Sequence, residues 1–290
     1  MLYSASNAKL KINGNEILAS NASLSLGASL NPQYRIAGES TRNTAIYTPT
    51  NGIGGQLNFN YFITGKDYFK TFITGQGETG NMGEVISGDF GGLNFDSGYL
   101  TSYSANFGPN TSSVASVSIS FFDQLNGVFS PTEEIAPDST QILNLRSAII
   151  EGEFASDAGG SVDNFIGGTY NYTSQVRPVY LMGETKPSAV AYGEKVVNMN
   201  FEIDSPTGYL PVSGTSAKIK VSLLPEGDTS ISQAVEDFTC SGLIQQRNIA
   251  SAAGDYIKHS INIIQNNTAD SEVVVREIAD SQGIYIGVGG

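Results

Sequence analysis

Hydrophobic and polar residues alternate with a period of two along most of this chain, the pattern of β-strands that bury one face. The alternation is clearest in residues 57–63, 114–121, 197–204 and 257–263. The positions predicted to face a core in the first and third of these segments are Leu57, Phe59, Tyr61, Ile63, Val197, Met199, Phe201 and Ile203. Asn, Ser and Thr occupy most of the opposite positions, which is typical of antiparallel sheets with one face in water. The sequence therefore predicts a mainly β protein.

Turn and helix signals divide these strands. Residues 8–19 predict a hairpin, because Asn13-Gly14 separates two short alternating segments. Short helices are predicted at 67–73 and from Thr229 through Phe238, where Thr229 provides an N-cap. Closely spaced glycines predict a long loop over 75–92.

The second half of the chain repeats four blocks of the first half in the same order. The pairs of blocks are 32–34 with 178–180, 57–63 with 197–203, 97–100 with 241–244, and 118–121 with 260–263. Their separations are 178 − 32 = 146, 197 − 57 = 140, 241 − 97 = 144 and 260 − 118 = 142. A repeat of this length predicts two tandem homologous domains, antiparallel β-sandwiches or half-barrels, each with a short helix. We place them at 1–138 and 139–290, the second with a C-terminal extension that forms an extra strand or an arm.

Composition narrows the possible partners. The 290 residues carry a net charge of −13, with only 15% charged residues, and both halves are acidic. Tight nucleic-acid binding is therefore not expected, since a phosphate backbone attracts clustered lysine and arginine. The single Cys240 excludes an intramolecular disulfide. No signal-peptide pattern and no apolar run of membrane-spanning length is present, so we expect a soluble protein made in a cytoplasm, without a membrane partner.

Candidate catalytic residues are few. His259 lies on the apolar side of a predicted strand and is interpreted as packed. Cys240 has no adjacent histidine and is expected to be inert. Two carboxylate pairs have i, i+2 spacing: Glu151/Glu153 and Glu202/Asp204. This spacing fits a glycosidase or a calcium ion, but a solvated strand face is the simpler interpretation. We therefore predict no enzyme activity, no catalytic residue, no cofactor and no metal ion.

Several segments together resemble the tail tube proteins of tailed bacteriophages. They are residues 10–17, the strand 57–63 and a hairpin at 97–104, and the stretch 91–110 also resembles virion structural proteins of marine phages. The resemblance implies a small β-sandwich flanked by a helix, whose sheet joins those of neighbouring subunits into a barrel around DNA. A chain with two such domains would form trimeric, pseudo-hexameric rings that stack in the virion tail. Its partners would be itself, other tail proteins, and DNA that passes without tight binding.

The same resemblance suggests roles for two groups of residues. The candidates for the lumen are Asn58, Asn60, Asn198, Asn200, Glu202 and Asp204. The candidates for a loop that contacts the next ring are Gly75, Gly77, Gly80, Gly83 and Gly88.

Two other functions fit the sequence. The first is another virion component built from a duplicated β domain, such as a tail hub or a capsid decoration protein. The second is a pair of carbohydrate-binding or adhesin modules, which would need exposed aromatic residues. The 14 tyrosines allow that function, whereas the absence of tryptophan disfavours it.

Overall fold

The computed structural model describes fifteen segments of the chain. They are residues 9–28, 30–34, 45–49, 54–74, 85–108, 111–122, 125–130, 147–154, 165–182, 184, 187–203, 214–228, 230–250, 258–265 and 275–277. The predicted domain boundary at 138/139 lies outside them.

Strands make up most of the described residues. The strands of the first half are β1 (Leu10–Ile12), β2 (Asn15–Ile17), β3 (Ala19–Gly27), β4 (Leu30–Tyr34), β5 (Ala45–Pro49), β6 (Gly54–Phe62), β7 (Ile86–Phe90), β8 (Leu93–Phe107), β9 (Val114–Phe121) and β10 (Asn126–Gly127). Those of the second half are β11 (Ser147–Phe154), β12 (Phe165–Val179), β13 (Ala189–Ile203), β14 (Ser216–Leu224), β15 (Glu236–Ala250), β16 (Lys258–Gln265) and β17 (Val275–Glu277). The helices are α1 (Tyr68–Thr74) and a three-residue 3-10 helix, Ile231–Gln233. The prediction of a mainly β protein is confirmed.

Fifteen strands form one antiparallel sheet, while β4 and β5 pair with each other in a separate hairpin. In the first half β3 pairs with β6, β6 with β9, β9 with β8, β8 with β7, and β7 with β1. In the second half β12 pairs with β13, β13 with β16, β16 with β15, β15 with β14, and β14 with β11. Residues 102–107 of β8 also pair with residues 168–173 of β12. The two halves are therefore one continuous sheet.

Register shifts interrupt several of the ladders. Between β3 and β6 the shift lies at Ala19/Asn21, and between β12 and β13 it lies at Phe165/Gly167. Between β8 and β9 it lies at Leu100/Ser102, and between β15 and β16 at Ile244/Gln246. Each shift places one extra residue in the first-named strand, as a β-bulge does.

The alternation predicted from the sequence is confirmed wherever the strands are described. In β6 the side chains of Leu57 and Phe59 are buried, and Asn58 and Asn60 are half-buried on the other face. The hairpin near the N-terminus is also confirmed. Asn13 (φ 48°) and Gly14 (φ 79°) both have left-handed backbone, the conformation that a two-residue β-turn requires.

Helix α1 confirms the first of the two predicted helices. The Asp67 carboxylate accepts a hydrogen bond from the backbone N–H of Phe69 at 2.9 Å, so Asp67 caps the helix. Phe69, Phe72 and Ile73 lie in the core. The second predicted helix is wrong, because only residues 231–233 are helical and β15 begins at Glu236. Pairing of residues 236–238 with β14 overrides the local helix signal.

Two predictions of turns are also wrong. Residues 97–104 are not a hairpin, since β8 runs through them without a break. Gly98 is needed there for close packing: a Cβ atom would lie 2.7 Å from the carbonyl oxygen of Ile86. The predicted loop 75–92 is too long at its C-terminal end, because Gly88 lies in β7 and the turn is at Gly91-Gly92. Gly75, Gly77, Gly80 and Gly83 lie outside the described residues.

One hydrophobic core extends through both halves. At the junction of β8 and β12, the ring of Phe238 lies 5.0 Å from Phe107 and 5.3 Å from Tyr170, measured between ring centroids. The N-terminal part of β15 therefore covers the apolar side of this junction. Of the C-terminal extension, β17 is described, and it pairs with β13 as an extra strand.

Candidate functional surfaces

The face of the sheet opposite the core carries uncharged polar side chains in rows that cross several strands. Directly paired residues of an antiparallel sheet share a face, so the ladder registers define these rows. One row crosses six strands: Asn21, Asn60, Ser116, Ser104, Asn171 and Asn198. The next crosses five: Asn106, Thr169, Asn200, Asn262 and Gln246. We call the surface formed by these two rows the polar face.

Side-chain hydrogen bonds link neighbours within the polar face. Asn171 donates through Nδ2 to Oδ1 of Asn198 at 3.0 Å, and the Ser260 hydroxyl donates to Oδ1 of Asn200 at 3.0 Å. These amides and hydroxyls retain exposure to water because they are half-buried. The surface can therefore form hydrogen bonds with water or a ligand without presenting a fixed charge.

Five of the six lumen candidates lie on this side of the sheet. Asn60, Asn198 and Asn200 belong to the polar face, and Asn58 and Glu202 lie beside it on β6 and β13. Asp204 lies outside the described residues. The register therefore brings the candidates of the two halves onto one surface.

Sequence reasoning missed the residues that connect the two groups of candidates. Ser104 and Asn106 come from β8, and Asn171 comes from β12. Alternation with the buried Tyr103 and Ala105 was a usable signal for the first two. The interpretation of 97–104 as a hairpin concealed it.

Several strand edges carry no partner within the described residues: β2 and β11 end the sheet, and further open edges lie on β3 and β15. Strand β3 pairs only with β6, so its other edge is open over that part of the chain. Beyond Ile244, β15 pairs only with β16 among the described strands. Apolar side chains are exposed on both strands, Leu26 on β3 and Ile249 on β15. Open edges of this kind are sites at which a further strand can add to a sheet.

A buried polar network connects α1 to β15 and hence the two halves. The Asp67 backbone N–H donates to Oε2 of Glu236 at 2.7 Å, and Lys70 forms an ion pair with Oε1 of the same carboxylate. The hydroxyls of Tyr61 and Tyr103 donate to the Asp67 carboxylate at 2.6 and 2.5 Å. Local sequence patterns do not reveal this network, because Asp67 and Glu236 are 169 residues apart in the chain.

Burial determines the protonation behaviour of the network. It raises the pKa of Asp67 above the ordinary aspartate value, against the hydrogen bonds from Tyr103 and Tyr61, which favour the ionised form. Burial, with the Asp67 charge as the next cause, also raises the pKa of both tyrosines. The phenols therefore remain protonated donors to Asp67.

Of the residues considered for catalysis, His259 and Cys240 are buried. His259 is buried in β16, opposite Ile203 and Ile249. Cys240 is fully buried, and burial raises the pKa of its thiol to about 12. Glu151 and Glu153 lie in β11, in register with Lys220 and Lys218.

Metal-binding clusters and surface depressions are the other features that can hold a ligand. No group of three His, Cys, Asp or Glu side chains suited to a metal ion occurs within the described segments. A shallow, open depression of about 380 Å³ is lined by residues 25–27, 54–56 and 120–122, none of which is ionisable.

Comparisons with known proteins do not identify a relative. No protein-family model matches the chain, and no curated protein sequence matches it significantly. In the described part of the chain, no helix has the length and apolar character needed to cross a membrane.

Proposed function

We propose that this chain is a structural virion protein, the tail tube subunit of a tailed phage. Three copies form a pseudo-hexameric ring, the rings stack, and the resulting tube encloses a DNA channel. The observation that carries this proposal is the edge-to-edge junction of β8 and β12, which makes one sheet from both halves. Because open edges remain on β3 and β15, the same kind of junction can be repeated between copies.

Internal duplication is part of the proposal, and three structural features support it. The strands of the two halves pair in the same order. The bulge of β3 at Ala19 corresponds to that of β12 at Phe165, with 165 − 19 = 146. The bulge of β8 at Leu100 corresponds to that of β15 at Ile244, with 244 − 100 = 144.

The bulges also revise the sequence alignment of the repeat. Opposite the β3 and β12 bulges lie Tyr61 and Ile203, so β6 and β13 correspond with 203 − 61 = 142. Opposite the β8 and β15 bulges lie Ile119 and Ile263, which gives 263 − 119 = 144 for β9 and β16. Both values exceed those from sequence matching by two residues. A shift of two preserves the buried and exposed faces, which is why alternation alone did not reveal it.

The chemistry of the polar face supports a channel through which DNA passes. Asn, Ser, Thr and Gln side chains hydrate well and offer no cation to a phosphate. Protein–DNA affinity depends largely on lysine and arginine contacts that release counterions. Glu202 and Lys258 are the charged residues that β13 and β16 add on this side, and the chain as a whole has a net charge of −13. We infer a surface that lets DNA slide instead of holding it.

Electron microscopy and light scattering of the purified protein test this function. We expect rings of three chains, with a mass of 3 × 30.6 = 91.8 kDa, and tubes at higher concentration. A protein that stays at 30.6 kDa and forms no rings at high concentration contradicts the proposal. Binding to an assembled capsid or tail tip without self-assembly would favour a decoration or hub protein. Binding to a glycan array would favour an adhesin.

A further inference from the structure

We propose that the open edge of β15 in one copy pairs antiparallel with the open edge of β3 in a second copy, in the register of the internal β8–β12 junction. The partner of this surface is therefore another molecule of the same chain. This inference rests on the proposed function, because it uses the proposed duplication. The contact between β8 and β12 within one chain serves as the template for a contact between β15 and β3 of two chains.

The register follows from the correspondence of the bulges. A residue of β8 corresponds to the residue of β15 whose number is 144 higher. A residue of β12 corresponds to the residue of β3 whose number is 146 lower. The observed pair Ala105–Tyr170 thereby predicts Ile249 opposite Leu24. The same transfer takes the observed pairs Ser104–Asn171 and Tyr103–Tyr172 to Asn248–Ser25 and Arg247–Leu26.

Apolar side chains that are buried at the internal junction correspond to side chains that are exposed on the open edges of β15 and β3. Ala105 and Tyr172 are 0% and 3% exposed in the internal junction. Their counterparts Ile249 and Leu26 are 51% and 46% exposed. A second copy in the proposed register would cover these two apolar side chains, whose burial contributes about 25 cal/mol per Å².

The polar face would continue across the same contact. Asn248 lies on that side of β15, because it pairs with Ser260, which pairs with Glu202. Ser25 lies on that side of β3, since it pairs with Gln56. In the proposed register these two residues are opposite each other, as Ser104 and Asn171 are at the internal junction. Asn248 therefore meets Ser25 and Ile249 meets Leu24, which keeps the polar and apolar faces in register, while Arg247 meets Leu26 and can cover it with the aliphatic part of its side chain.

A second contact, beside the β8–β12 junction, also has a counterpart at the proposed contact between copies. Within one chain, Tyr99 of β8 is buried and contacts Phe122 and Val176. Val176 lies in β12, in the hairpin that β12 forms with β13. Adding 144 takes Tyr99 to Leu243, which is 37% exposed. Subtracting 146 takes Val176 to Leu30 at the start of β4. The second copy that supplies β3 would thus also bring its β4–β5 hairpin over Leu243.

The proposed contact is heterologous, since β15 of one copy meets β3 of the next. Repetition of such a contact generates a ring when the rotation closes and an open filament when it does not. A closed ring would pair the β3 edge and the β15 edge of every copy with those of its two neighbours.

Cysteine cross-linking tests the register directly. In one variant Leu24→Cys and Ile249→Cys are combined, and mild oxidation is followed by non-reducing electrophoresis. We expect disulfide-linked oligomers, because directly opposite Cβ atoms are about 5 Å apart. The control combines Ala28→Cys with Ile249→Cys; Ala28 lies four residues further along, about 13 Å from the predicted partner. Mixing the two single variants should give dimers only. Cys240 is retained, because it is fully buried.

The outcomes separate this inference from the proposed function. Cross-linking of the control pair instead of the predicted pair overturns the register. Rings that form without cross-linking at Leu24 and Ile249 overturn the inference and leave the tube function standing. Cross-linked oligomers that never stack into tubes support the inference and contradict the tube function. As a second measurement, Ile249→Asp should abolish oligomers, whereas Val128→Asp, at a residue 78% exposed on neither edge, should not.

Discussion

Replacement of Glu236 by alanine should destabilise the fold strongly, because this carboxylate joins α1 to β15. Glu236 is 8% exposed, and Lys70, its ion-pair partner, is also largely buried. The same carboxylate accepts the hydrogen bond from the backbone N–H of Asp67. Glu236→Ala would therefore remove the carboxylate that pairs with Lys70, which keeps its hydrogen bond to the Asp237 carbonyl, and the acceptor of the Asp67 backbone N–H.

The magnitude follows from these two losses. Breaking a buried ion pair by removing one member costs about 3–5 kcal/mol. An unsatisfied buried donor alone accounts for about 1–3 kcal/mol of such a penalty. Because the Lys70 side chain keeps 20% of its exposure and can recover part of its hydration, we expect a loss of about 3 kcal/mol. Glu236→Gln keeps an acceptor for Asp67 and should cost about 1–2 kcal/mol.

Urea unfolding measures the effect, with circular dichroism and tyrosine fluorescence as independent probes. The matched control is Glu16→Ala, which removes an ion pair with Lys9 at 4.0 Å whose two side chains are 39% and 22% exposed. Surface pairs of this kind contribute about 0–1 kcal/mol, so the control should barely shift the midpoint. The reasoning is refuted if Glu236→Ala and Glu16→Ala shift the midpoint equally, or if Glu236→Gln costs as much as Glu236→Ala.

Two further predictions concern pH and close packing. Since the folded chain holds the Asp67 proton more tightly than the unfolded chain, its contribution to stability is complete below the ordinary aspartate pKa of about 3.9 and is lost as pH rises through the raised folded pKa. Asp67→Asn should therefore flatten the dependence of the urea midpoint on pH above that value, and an unchanged slope would contradict the assignment. Gly242→Ala should cost about 1–3 kcal/mol, because its Cβ atom would lie 1.9 Å from the carbonyl oxygen of Ile264. Gly27→Ala is the control in dilute protein, as it meets no atom within 4 Å, and equal midpoints for the two variants would refute the packing argument.

Local patterns were sufficient where one physical requirement acts on neighbouring residues. Alternation in β6 and β13 predicted which side chains are buried, since a strand turns every second residue to the same face. Asn13-Gly14 predicted its turn, because few residues adopt two successive left-handed conformations. The segment of α1 was predicted, whereas its cap was not named, although Asp67 acts on a donor only two residues away.

Requirements that act between distant segments were not visible in the sequence. The N-cap signal at Thr229 predicted a helix through Phe238, but strand β14 provides the hydrogen bonds that make residues 236–238 a strand. Ser97-Gly98 resembled a turn, whereas the glycine is required by the approach of the Ile86 backbone. The Asp67–Glu236 network depends on contact between the halves, which no local pattern encodes.

In the proposed ring, duplication would divide six junctions into two physical classes. Three would lie within chains and form at the high effective concentration that a covalent link provides, and three would form between chains and depend on protein concentration. The internal junction can be buried on its core side, where Tyr103 pairs with Tyr172 and stacks on Phe238 with the ring centroids 6.5 Å apart. The counterpart edges must remain compatible with water before assembly, and Arg247 occupies the position that corresponds to Tyr103. A charged residue on an open edge limits indiscriminate pairing with other strands. We therefore expect Tyr103 to suit a junction that forms as the chain folds, and Arg247 to suit an edge that stays in water until the copies assemble.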